Sequence, residues 1–246
     1  MSQKIKLPLS DSVEIIQANQ HGLVALNKDV GVLSHPNSEK EKKVSILKAS
    51  FNFKEEFFYW ENTEGILQKA WLVNRLDSPT SGVILLALNQ ELKQSLRRSF
   101  ETHSVRKIYY AIVKGCPKFK AGLWDGKTMP KGSNSKHNKE LQVSKTKFTV
   151  ESTSNQSPKL SLLKLEPLTG RTHQIRIQCA QFGQPIIGDQ TYGDFKFNRL
   201  LKKNTGIARL MLHCHATELK YYFKGRTYKF SAKVALPEEF EKLTQD

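Results

Sequence analysis

A chain of 246 residues, 38% of them hydrophobic, can bury a substantial core without disulfides or metal, and no apolar run in it approaches the length of a membrane span. Lys and Arg outnumber Asp and Glu by 39 to 23, giving a net charge of +16. That excess points to a polyanionic partner, nucleic acid ahead of a membrane surface, because no basic amphipathic helix that could anchor to lipid is evident. Cys116, Cys179 and Cys214 are few and widely spaced, which suggests free thiols in a reducing compartment and excludes a disulfide framework. The first residues lack the apolar segment of a secretory signal, so a cytoplasmic protein is expected.

In chain order, Val13-Glu14-Ile15-Ile16 and Leu23-Val24-Ala25-Leu26 read as short strands around the turn residues Asn19, His21 and Gly22. Residues 27–31 form a turn, and 32–36 stay extended because Pro36 disfavours helix before it. The charged run 37–43 reads as a solvated loop, and 44–51 as a short helix with Ile46, Leu47 and Phe51 on one side. Phe57, Phe58, Tyr59 and Trp60 form an aromatic cluster, read as core or rim packing in preference to a base-stacking platform.

Asn74-Arg75-Leu76-Asp77-Ser78-Pro79-Thr80-Ser81-Gly82 then sets an acid beside a base in a turn-rich stretch, feeding the apolar run 83–88, which has the form of a buried strand. Asp77 on a loop pinned to a rigid element is a suitable place for a reactive carboxylate; a turn-capping role is the plainer reading of the stretch alone. Asn89 is an N-cap, and Leu92, Leu96 and Phe100 recur every four residues, predicting an amphipathic helix over 90–102 with Arg97 and Arg98 outward. Residues 106–115 are a strand rich in aromatic and β-branched residues.

Residues 116–147 are the least regular part, a Lys-rich mobile excursion in which Trp124 anchors at most a short strand; it is either a solvated loop or one that orders on RNA. Residues 148–150 and 160–165 pair as a hairpin, 168–171 turn, and 172–182 form a helix with Ile175, Cys179 and Phe182 on one face and Gly183 as its stop. Turns follow at 185–189 and 192–194, and two strands at 210–222 and 227–234 close the chain. There is no internal repeat and no linker, so one domain spans 1–246.

Three stretches together resemble the RluA-type pseudouridine synthases. Residues 74–82 resemble that family's His-Arg-Leu-Asp-x-x-Thr-Ser-Gly segment. Lys107-Ile108-Tyr109 with Ala111, Val113 and Gly115 resembles its second motif. Thr169-Gly170-Arg171-Thr172-His173-Gln174-Ile175-Arg176, with Gly183, Pro185, Ile186, Gly188, Asp189, Tyr192 and Gly193, resembles its third. The order and spacing agree over about 13–235. Asn74 stands where the family has His, and Asp29 where it has Pro. Nothing in the chain resembles an S4-like RNA-binding domain, so the likeness is to members consisting of the catalytic domain alone.

The resemblance implies an α+β fold with mixed, largely antiparallel sheet, flanking helices and a central basic cleft. It implies isomerisation of uridine in ribosomal or transfer RNA, without cofactor, membrane or obligate protein partner, by a monomer. It implies Asp77 as the essential carboxylate, attacking sugar or base or assisting removal of the C2′ proton. Arg176 is the opposing charge that keeps Asp77 ionised. Tyr109 stacks on the target base, while alternation along the strand turns Tyr110 to the other face. Lys107, Arg75, Arg171, His173 and Gln174 are the candidate RNA contacts. His213-Cys214-His215 places two imidazoles on one face, but no further ligand is indicated, and no metal is expected. Two other readings of the chain are a silent RNA-binding protein on this fold and a carboxylate-dependent nucleoside or glycoside hydrolase, which a second acid in the cleft would favour.

Overall fold

The computed structural model describes residues 6–102, 104–128, 142–155 and 157–243. The chain divides into two compact units, one of Met1–Val105 with Ala216–Val234, the other of Arg106–His215 with Ala235–Asp246. Strand pairing within both is antiparallel, with helices alongside, so the fold is α+β as the sequence predicted.

In the first unit, β1 (Val13–Ala18) pairs with β2 (Leu23–Lys28), with a bulge between Ile15 and Gln17. A 3-10 helix, Glu39–Val44, precedes β3 (Ser50–Asn52), β4 (Phe57–Glu61), β5 (Leu67–Leu72) and β6 (Ser81–Ala87). The predicted helix over 44–51 is not there. Ser45 bridges Leu33, Leu47 bridges Leu9, and the segment runs into β3, so these partners determine its conformation where local periodicity does not. β6 lies between β2 and β5 and every one of its residues is buried. Each of Val83, Ile84, Leu85 and Leu86 contributes about 1.5–3 kcal/mol by leaving water. Phe57 and Phe58 are core residues, in keeping with the packing reading of the aromatic cluster.

α1 (Gln90–Glu101) packs on β5 and β6 with Leu92 and Leu96 buried, and Asn89 caps it by accepting from the Leu92 amide at 2.8 Å. The unit closes with the strand β11 (Leu212–Phe223), from Ala216 onward, paired with β12 (Arg226–Lys233).

In the second unit, β7 (Val105–Lys114) pairs with β10 (Leu160–Pro167), β10 with β9 (Gln142–Thr153), and β9 with β8 (Ala121–Thr128). The described part of the expected irregular excursion is therefore regular: 121–128 and 142–147 are paired strands, and 129–141 lies outside the described residues. The reason is a polar interior. Within 142–147 the inward residues of β9 are Ser144 and Thr146, facing buried glutamines of α2 (Gln174–Gln181), so no apolar alternation announces that part of the strand.

α3 (Phe195–Thr205), which the sequence reading missed, is capped by Asp194 and ended by Gly206; none of its residues is fully buried, and Phe195 and Leu200 are exposed. α4 (Glu238–Lys242) is a single turn seated by Phe240. No described helix is long and apolar enough to cross a membrane.

Candidate active site

Asp77 sits half-buried in the loop between β5 and β6 of the first unit. The loop is held at several points. The Ser34 hydroxyl donates to the Leu76 carbonyl at 2.6 Å and accepts from the Leu76 amide at 2.9 Å, clamping the residue before Asp77. The turn after it closes as Thr80 N–H donates to the Asp77 backbone oxygen at 2.9 Å. The Ser78 carbonyl accepts from Gly31 N–H, and the Ser78 hydroxyl donates to the Gly31 carbonyl.

From beneath, the fully buried Lys28 donates to the carbonyls of Asp29, Val32 and Ser78 at 3.0, 2.8 and 3.0 Å. One ammonium thus ties the early loop to the Asp77 loop. Asn74, in the position of the family His, accepts from Leu85 N–H at 2.8 Å and fastens the loop to β6. Arg75 points outward, 3.7 Å from Glu56.

Lys28→Met removes those three bonds and takes from the buried Val32 carbonyl its ammonium partner, at a cost of about 1–3 kcal/mol before relaxation, while the Ser78 carbonyl keeps its bond from Gly31 N–H. It is expected to lower the urea midpoint and raise hydrogen exchange at Gly31. Wild-type exchange there would show that Lys28 does not hold the loop.

The other candidates lie in the second unit. Tyr109, on β7, is buried opposite Leu165. Tyr110 is half-buried and meets His215 edge-on at 5.3 Å. Burial first, then the charges of Glu151 and Glu166, push the Tyr110 phenol above its usual range. Lys107 is partly buried, its Nζ beside Gly170 of the neighbouring turn. Burial holds its ammonium below the usual lysine range, against an opposing effect of Cys214.

The turn before α2 is shaped by Gln174. Its carbonyl oxygen accepts from the Thr169 hydroxyl at 2.7 Å and from Arg171 N–H at 3.1 Å. Its amide nitrogen donates to the Lys145 carbonyl and the Thr146 hydroxyl at 3.0 and 2.9 Å. Gln178, one turn on, accepts from the Thr146 hydroxyl and donates to the carbonyls of Trp124 and Ser144. Arg171 is exposed, its Nε donating to the Val143 carbonyl at 3.3 Å. His173 has φ 53°, so the helix begins after it at Gln174, two residues later than the sequence predicted. Its Nδ1 lies 3.1 Å from the Tyr192 hydroxyl.

Arg176 is buried and forks onto Asp189: Nε and Nη2 donate to Oδ2 and Oδ1, each at 2.8 Å. Nη2 also donates to the Thr191 hydroxyl, and the guanidinium lies 5.3 Å from the centre of the Tyr192 ring. Asp189 Oδ1 further accepts from the amides of Thr191 and Tyr192. Burial pushes the Asp189 carboxyl up, but the hydrogen bonds and charge of Arg176 and the two amides outweigh it and hold it below its ordinary value.

Its contribution to stability is therefore complete above the ordinary value of 3.8 and is lost as pH falls through the lower folded-state value. The difference in unfolding free energy between wild type and Asp189→Asn should shrink in that acid range. A constant difference would show that the carboxylate is not what stabilises the loop.

Sequence reasoning had Asp189 and Tyr192 as motif residues without a role; a buried Arg on a helix needs an acid, and that need was the available signal. The loop's geometry depends on Gly188. Its φ is +74°, and a Cβ there would lie 1.8 Å from the Arg209 carbonyl oxygen. Asn198 of α3 holds the same loop, accepting from Gly188 N–H and donating to the Asp189 carbonyl. Among the described residues no group of three or more His, Cys, Asp or Glu is placed to hold a metal.

The RNA pseudouridylate synthase family matches residues 22–181. This chain belongs to that family. It is similar to "tRNA pseudouridine synthase C" of Yersinia pestis, 31% identical over 235 residues, covering 90% of this chain and 86% of the relative. The protein of the same name from Pectobacterium carotovorum is 31% identical over 239 residues, and there the match spans 92% of this chain but 60% of the relative. Among solved structures, human RNA pseudouridylate synthase domain containing 1 shares the fold with a TM-score of 0.62 at 21% identity, covering 95% of this chain and 93% of that one. The chain is thus an RNA pseudouridine synthase of α+β architecture, and neither the silent RNA-binding reading nor the hydrolase reading is favoured.

Proposed function

We propose that this synthase converts uridine to pseudouridine in transfer RNA, as a cytoplasmic monomer, with 1–246 acting as one catalytic domain around a basic cleft. The N1–C1′ bond breaks, the uracil turns, C5 bonds to C1′, C5 loses a proton and N1 gains one. The balance needs no oxidant, phosphate donor or metal, so no cofactor is part of the proposal.

Asp77 is the reacting carboxylate. Arg176 supplies the positive charge of the site, with Asp189 orienting the guanidinium. Tyr109 stacks on the base, an interaction worth about 1–3 kcal/mol. The uridine leaves its own stack at a cost of a few kcal/mol. Arg75, Lys107, Arg171 and His173 hold the displaced nucleotide and its phosphates. Gln174 is already engaged at both donors and both acceptor positions, so it serves by shaping the Arg171 turn and not by touching RNA.

The observation that carries this reading is the half-buried Asp77 on a loop anchored through Ser34, Lys28 and Asn74. The names of the relatives support transfer RNA as the substrate class. The test is a pseudouridine map of transfer and ribosomal RNA from the source cell with and without the gene. A transfer-RNA site that disappears, and returns with wild type but not with Asp77→Asn, is the expected result. Loss confined to ribosomal RNA would overturn the substrate assignment, and a dimer in sedimentation would overturn the monomer.

A further inference from the structure

A groove of about 250 Å³ lies in the first unit between the end of α1 and the β11–β12 hairpin. Its lining includes Arg98, Ser104, Lys220, Tyr222 and Thr227, none of which belongs to the Asp77 loop. From these we infer a second RNA contact, in which Arg98 and Lys220 hold a backbone phosphate and Tyr222 stacks on an adjacent unpaired base. The inference rests on the reading of the chain as an RNA-modifying enzyme and extends it to how the substrate is held away from the reacting uridine.

Charge decides the ligand class. Arg98 and Lys220 are exposed, and neither forms an ion pair among the described residues. Lys220 stands directly opposite Lys229 in the β11–β12 register. Like charges in that position repel, and an anion between them relieves the repulsion. The nearby acids are engaged: Glu218 lies 3.9 Å from Lys233, and Glu101 accepts from Arg97 at 3.0 Å.

The C-terminal carbonyls of a helix would ordinarily repel an anion. Here two of them are covered, since Thr102 N–H and its hydroxyl both donate to the Arg98 carbonyl, and Ser104 N–H donates to that of Ser99. Tyr222 is 63% exposed, an unusual site for so large a ring, while its neighbour Tyr221 is buried and bonded to Asn19 and His21. The Tyr222 phenol and the Thr227 hydroxyl donate to no described residue, so both are available to phosphate oxygens. Two cations beside an open aromatic face match the way proteins hold single-stranded RNA.

The test is fluorescence-anisotropy titration of bulk transfer RNA against the full chain over a range of salt, with single-turnover rates at saturating RNA. Arg98→Gln with Lys220→Gln should weaken binding about tenfold at low salt and flatten the slope of log K against log salt by about 0.7 to 0.9, the loss of one phosphate contact. The saturated rate should stay within about twofold of wild type. Tyr222→Ala should weaken binding about tenfold and leave the salt slope unchanged. Lys40→Gln with Lys54→Gln, two exposed lysines elsewhere, is the matched control. Unchanged affinity in the groove variants, or an equal loss in the control, overturns the proposal. Binding is read independently of turnover, so a wild type that binds transfer RNA but forms no pseudouridine in it would refute the proposed function and leave the groove to be judged on its own result.

Discussion

Asp77→Asn is expected to lower pseudouridine formation by about four orders of magnitude or more, the scale seen when a reacting group is removed, while RNA affinity stays within about threefold. Asn has the shape of Asp without its charge or nucleophilicity. Bonds through the Asp77 carbonyl, Ser34, Lys28 and Asn74 hold the loop's backbone, and Asn keeps the size of Asp, so the loop's backbone should persist. The loss therefore reads the chemistry and not the fold. The measurement is single-turnover conversion under saturating enzyme, with anisotropy binding alongside. Undiminished conversion would remove Asp77 from the mechanism, and a parallel collapse of binding would make it an RNA contact.

Asp189→Ala should destabilise the chain by about 3–5 kcal/mol, a large part of the roughly 5–15 kcal/mol that holds a domain folded. It takes from a buried guanidinium its two-point partner and from the Thr191 and Tyr192 amides their acceptor. Urea unfolding measures the effect, and a shift under about 1 kcal/mol would show that the pair is not structural. Arg176→Met combined with Asp189→Leu should recover part of the stability, because an apolar pair avoids desolvating two charges. That variant should remain inactive, which separates the pair's contribution to the fold from the role proposed for Arg176 in catalysis.

What the sequence revealed depended on whether a residue's neighbours in space were also near in the chain. β6 was legible because 83–88 is an unbroken apolar run after a turn. α1 was legible because Asn89 and the four-residue recurrence lie within one element. The first half of β9, 142–147, was hidden because its inward residues, Ser144 and Thr146, are polar and meet Gln174 and Gln178 about 30 residues on, whereas 148–150 was legible. The 44–51 segment misled because Leu9 and Leu33, not its own periodicity, fix it.

For the site, the motifs gave the residue types but not the supports. Asp77 could be named, whereas the Lys28 ammonium, the Ser34 clamp and the Asp189 fork are long-range pairings that no local pattern encodes.

The glutamine ladder between α2 and the β8–β9 hairpin has a practical consequence. Gln174 and Gln178 carry no charge, and their partners are hydroxyls, backbone carbonyls and the Arg171 amide, all uncharged, so ions in solution have little to screen there. Affinity for a polyanion at a net charge of +16 should by contrast fall steeply as ions are added. Potassium chloride can therefore serve as a dial on substrate capture that leaves the shape of the Arg171 turn unaltered, and a rate that changes with salt at saturating RNA reports on something other than that turn.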